Sequence, residues 1–167
     1  QPVPKVIDFG LARLLAPDPD QPNRTLTGEL LGTVEYMSPE QADPEGGRVD
    51  ARTDVYALGV LLYELLTGSL PTGSLDLRRL RPADLHRVLR EQRVEPPSRR
   101  ANAPNDDRRL VVRSVPAELD CITLKALEPD PELRYAAVAE LADDLERHLR
   151  GEVVRAHPPT TTYLAWR

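Results

Sequence analysis

The run KVIDFGLAR, residues 5–13, sets a single carboxylate, Asp8, between a strand-like stretch and Phe9, with Gly10 directly behind it. Taken alone this tripeptide is a weak signal, because a strand-end aspartate in a turn reads the same way and a motif needs its context. The other chemistry-bearing residues are scattered. Cys121 is the only cysteine, which excludes an internal disulfide and a Cys-pair zinc site and fits a reducing compartment. His86, His148 and His157 are expected on surface or loops. The sequence LHRV at 85–88 lies on an amphipathic stretch and carries no following aspartate.

The elements that must position these residues are mostly helical. Residues 3–9 read as a short strand ending at Gly10, and residues 14–35, broken by Pro17, Pro19, Pro22 and Gly28, read as a long loop. TDVYALGVLLYELLT, residues 53–67, is the clearest helix, with Thr53 suited to the N-cap, Asp54 to the first turn, and Gly68 and Pro71 as stops. It has almost no polar side, so it is expected to be a central pillar buried all round. Further helices are expected over 82–92, 116–127 and 136–150, the last closed by Gly151, with loop over 93–114 and an extended tail or linker over 151–167.

Composition narrows the class. The chain has 167 residues, 40% hydrophobic and only 4% aromatic, so aliphatic side chains must build the core of one domain or part of a larger one. A net charge of −5 describes an ordinary solvated surface with no general attraction for nucleic acid. The basic clusters LRRLR (77–81) and SRR (98–100) are separated, and read as solvated surface or peptide-docking edges. No apolar run reaches the roughly 18 residues of a membrane span, and there is no signal peptide. The opening on Gln1 rather than methionine is expected of an excised or partial chain. A cytoplasmic location is expected, with room for a membrane anchor beyond Arg167.

Four segments then supply the missing context. Asp8-Phe9-Gly10, GTVEYMSPEQ (32–41), RTDVYALGVLLYELLTG (52–68) and KALEPDPELRY (125–135) occur in this order. Together they resemble the C-terminal lobe of the eukaryotic-like protein kinases. YMSPEQ and ITLKALEPDPELRY are similar to the bacterial, Hanks-type serine/threonine branch. The likeness covers residues 3–150 and implies a mainly α fold, a kinase C-lobe with a short strand before Asp8 and no N-lobe. The implied domain is 1–150, with an activation segment over 8–40.

The resemblance also implies roles. Asp8 would hold the Mg²⁺ that bridges the phosphates of ATP, Phe9 would set its pose, and Gly10 would let the backbone switch. Thr25 and Thr27, near Arg24, are candidate phosphorylation sites, since a phosphate there can order a loop by pairing with arginine; the plainer reading is solvated loop hydroxyls. Gly32, Thr33 and Tyr36 match the substrate-docking end, with Thr33 the threonine that contacts the catalytic aspartate. Ser38-Pro39-Glu40 stands where the family has Ala-Pro-Glu. Glu40 is expected to form a buried, structural ion pair with Arg134, and Asp54 to anchor the catalytic-loop backbone.

Several parts of the phosphoryl-transfer machinery are not in these 167 residues: no glycine-rich Gly-x-Gly-x-x-Gly, no Val-Ala-Ile-Lys, and no His-Arg-Asp ahead of Asp8. The catalytic-loop aspartate is therefore absent from the chain. The expectation is a fragment of a serine/threonine protein kinase, whose partners are ATP and protein substrates rather than nucleic acid, and which is inactive as this chain alone. The alternative is a non-catalytic kinase-lobe remnant that binds proteins.

Overall fold

Helix α1, Arg52–Thr67, is the element against which three of the other helices pack. The computed structural model describes residues 34–101 and 115–156; the expected strand at 3–9 and all but the last two residues of the loop expected over 14–35 lie outside the described residues. The chain divides into two compact units, Gln1–Val34 and Glu35–Arg167. The described part of the second unit is helical, with no strand: α1, α2 (Pro82–Glu91), α3 (Pro97–Ala101), α4 (Ala117–Ala126) and α5 (Val138–Arg150). Single 3-10 turns stand at Val34–Tyr36, Leu77–Arg79 and Pro131–Leu133. This is the mainly α, kinase-C-lobe-like class that the sequence implied.

The start of α1 differs from the sequence expectation. Ala51 occupies the N-cap and makes no side-chain capping bond. Thr53 lies inside the helix and its hydroxyl donates to Glu40 Oε1 at 3.0 Å. A tertiary acceptor has thus taken the hydroxyl that local capping would otherwise use. The far end follows the usual rule: Gly68 adopts φ 68°, a left-handed conformation that costs glycine nothing, and its N–H returns to Glu64 O at 2.7 Å.

Nor is α1 buried all round. Val55, Tyr56, Val60, Tyr63 and Leu66 form the inner stripe, whereas Leu58, Leu61 and Leu65 are 37%, 42% and 57% exposed. These outer leucines, with Leu62, face Val138, Leu141, Ala142 and Leu145 of α5 across an apolar groove. On the inner side, α4 approaches so closely that a Cβ at Gly59 would lie 2.9 Å from Ala126 Cβ and 3.2 Å from Leu127 Cγ. Val55, Ile122, Ala126, Tyr135 and Leu141 join in one core; Tyr56, Val60, Tyr63 and Leu127 form a second.

The stretch 93–114, read as loop, contains α3. Pro97 and Ala101 are buried, and Ser98 donates from its N–H and its hydroxyl to the Asp120 carboxylate of α4, at 2.8 and 2.5 Å. Five residues are too few to show a period, so the helix had no sequence signature.

At the other end, Gly151 (φ 70°) stops α5. Residues 152–156 then fold back, and Val154 and Ala156 enter the first core. No helix among the described residues is long and apolar enough to cross a membrane.

Candidate functional site

The most heavily bonded side chains of the described residues meet where the loop 37–51 passes the start of α1 and the loop between α4 and α5. Glu40 and Arg134 form a two-pronged ion pair, Nη1 to Oε1 at 2.7 Å and Nη2 to Oε2 at 2.8 Å. Their side chains are 8% and 0% exposed. The remaining guanidinium protons are also used: Nε donates to Glu128 O at 2.6 Å, Nη1 to Arg52 O and Nη2 to Pro129 O, both at 3.1 Å. All five donors of the arginine are thereby satisfied, the condition under which burying a charge is tolerable. The guanidinium also lies 4.9 Å from the ring centroid of Tyr56, within cation–π range.

Electrostatics agree with the geometry. Burial pushes the Glu40 carboxyl up, but hydrogen bonds from Arg134, from backbone and from Thr53, with the nearby positive charge, outweigh it and hold the group below the usual carboxylate range. Behind Glu40 the backbone is crowded, since a Cβ on Gly47 would sit 2.8 Å from the Glu40 carbonyl oxygen. A glycine is needed there for closeness rather than for an unusual φ. Ser38 is fully buried and its N–H donates to Gln41 Oε1 at 3.0 Å, while Ala42 N–H reaches Ser38 O at 3.1 Å. The arrangement fixes a loop; it holds no nucleophile or base poised for proton transfer.

A second constellation lies next to it. The Tyr36 hydroxyl donates to the Glu64 carboxylate of α1. That bond, then burial, then the charges of Glu64 and Glu35 push the phenol up to about 12. Arg78 closes the edge, donating to Glu35 Oε1 at 2.8 Å. His86 of α2 donates from Nδ1 to Pro39 O at 2.9 Å, and His148 of α5 donates to Glu118 at 2.9 Å. Both histidines are thus half-buried on helices with partners, not free on the surface. Within LRRLR, Arg79 and Arg81 pair with Asp76 and Asp84 on the exterior.

A family model described as the protein kinase domain matches residues 1–145. The chain belongs to the protein kinase family. Relatives agree: it is 41% identical over 150 residues to serine/threonine-protein kinase PknB of Mycobacterium tuberculosis (strain ATCC 25177 / H37Ra), covering 89% of this chain and 20% of that protein. It is 42% identical over 150 residues to PknB of Mycolicibacterium smegmatis, with the same coverage, and 35% identical over 129 residues to PknD of Chlamydia felis, covering 77% of this chain and 12% of the relative. The chain therefore spans a fifth or less of the length of these curated kinases.

Of the site residues named from the sequence, the structure brings Glu40 and Arg134 together and places Tyr36 nearby on α1's Glu64. Asp54 stands exposed in the first turn of α1. Asp8, Phe9, Gly10, Thr25, Thr27, Gly32 and Thr33 lie outside the described residues. Among the described residues no group of three or more His, Cys, Asp or Glu could hold a metal ion. Cys121 is half-buried, and burial, then the charge of Asp120, push its thiol up, away from thiolate chemistry. Three contributors were missed: Thr53, Glu64 and Tyr56. Glu64 carried a signal, because a lone carboxylate inside LLYELL must find a partner if the helix is buried.

Proposed function

We propose that this chain is the activation-segment and substrate-docking portion of a bacterial serine/threonine protein kinase that transfers the γ-phosphate of ATP to protein hydroxyls. The observation that carries this reading is the buried Glu40–Arg134 pair, which fixes the loop carrying Ser38-Pro39-Glu40 onto the connection between α4 and α5. A segment so anchored gives a protein substrate a rigid floor beside Tyr36. The residues proposed for docking are Gly32, Thr33 and Tyr36; Thr25 and Thr27 are proposed phosphate acceptors, and Asp54 the anchor of a catalytic loop. Asp8 would supply one oxygen ligand for magnesium, which neutralises phosphate charge when bound. The proposed setting is cytoplasmic.

The isolated 167 residues are proposed not to transfer phosphate, because the sequence holds neither a catalytic-loop aspartate nor a phosphate-binding lysine motif. The test is a transfer assay with purified chain, Mg-ATP and a general acceptor protein. Silence is the expected result. Transfer above background that is lost in Asp8→Ala would overturn the inactivity; nucleotide binding unchanged by Asp8→Ala would overturn the role of Asp8.

A further inference from the structure

Asp144 of α5 is fully buried, yet the pairing of Glu40 with Arg134 does not use it. Its carboxylate accepts three hydrogen bonds: from the Arg155 N–H at 2.7 Å, the Ala156 N–H at 2.8 Å and the Tyr135 hydroxyl at 2.9 Å. Two successive backbone amides on one buried carboxylate make a specific clamp. They pin the segment after α5 at the point where Val154 and Ala156 enter the core. The third bond runs to the residue beside Arg134. Arg134 and Tyr135 thus form a double anchor in the loop between α4 and α5: one side chain grips Glu40, and its neighbour grips the carboxylate that holds the C-terminal segment. Lys125 sits 4.3 Å above the Tyr135 ring and fixes its other side.

We propose that residues 152–156 are a strap whose docking on Asp144 keeps the Arg134–Tyr135 loop aligned, so that releasing the strap loosens the Glu40 anchor of the activation segment. The chain beyond residue 156 can then act on that segment by drawing the strap away. Naming the far end an activation segment rests on the function proposed above; the mechanical link does not, and it is read without any activity.

Amide hydrogen exchange of the full chain tests it. Asp144→Asn keeps the side chain's size but replaces one acceptor oxygen with a donor facing donors. Val154→Ser undocks the strap without touching the carboxylate. Both variants should speed exchange at Arg155 and Ala156, and at Ala42 beyond Glu40, by about tenfold or more, while Gln92 at the end of α2 stays unchanged. Arg155→Ala, which keeps the amide, should leave all four as they were. Undiminished protection at 155 and 156 in Asp144→Asn would overturn the strap. A freed strap with Ala42 still protected would overturn the link, as would equal acceleration at Gln92 in both variants, which would reveal only global loosening.

Discussion

Tyr36 donates its hydroxyl to Glu64, so the 3-10 turn that precedes the anchored loop is tied to the last turn of the pillar helix, 28 residues away in sequence. The bond answers two needs at once. A carboxylate on α1, half-buried between apolar neighbours, gains a partner, and the turn gains a fixed orientation.

That bond has a consequence at high pH. Tyr36, Tyr56 and Tyr63 are all pushed up to about 12, the first chiefly by its bond to Glu64 and the other two chiefly by burial. Tyr135 moves further in the same direction, by burial and its bond to Asp144. Folded pKa values above the unfolded one, about 10, mean that stability is fully present below that pH and is lost as pH rises through the folded values. Tyrosinate absorbance should therefore appear late and together with unfolding, and Glu64→Gln should bring one tyrosine forward. Early, independent ionisation of most tyrosines would contradict the structure.

At low pH the sign reverses. Glu40 is held down despite its burial by Arg134, backbone and Thr53, and Asp144, likewise against burial, by the two strap amides and Tyr135. Depressed folded values stabilise above the unfolded pKa, about 4, and that contribution fades as pH falls through the folded ones. A urea midpoint followed from neutral to acid pH should drop below about pH 4, and Glu40→Gln should flatten the drop.

Removing one member of the Glu40–Arg134 pair strands the other charge in the interior. Glu40→Ala is expected to lose about 3–5 kcal/mol. Denaturant unfolding with a double-mutant cycle to Arg134→Ala checks it, and a coupling near zero would show the pair to be inert.

Gly59→Ala should destabilise although alanine is the better helix former by about 1 kcal/mol. Its Cβ would meet Ala126 Cβ at 2.9 Å, and overpacking of this kind costs about 1–3 kcal/mol. Ala126→Gly in the same molecule should recover part of the loss. An unchanged or raised melting temperature in Gly59→Ala would refute the close crossing of α1 and α4.

The outer leucines of α1 should bind a hydrophobic dye and promote association at high concentration. Leu61 and Leu65, 42% and 57% exposed, can be changed without opening the inner stripe. Leu61→Glu with Leu65→Lys is expected to weaken dye binding and raise solubility while helical content is kept. Undiminished dye binding would place the sticky surface elsewhere.

Periodicity in the sequence was enough for α1, α2, α4 and α5, because each carries a repeating apolar stripe or a glycine stop. It failed where tertiary contacts override local rules. Thr53 reads as a cap, but Glu40 takes its hydroxyl; α3 is held by Asp120 rather than by any pattern; the outer leucines of α1 look like core because composition does not record which side faces a neighbour. No local signal links Glu40 with Arg134, 94 residues apart, and only the order of the four motifs joined them. The double use of Arg134 and Tyr135 left no trace in the sequence, since a backbone amide has no letter of its own.

Position 134 has no understudy. A lysine would carry its three protons on one nitrogen at the end of a flexible stem, so it could face Glu40 but could not also reach the peptide oxygens of Glu128, Pro129 and Arg52, which point at it from three directions. The customary swap of one cation for another would here unfasten a corner where two stretches of backbone, remote in sequence, converge with a carboxylate from a third.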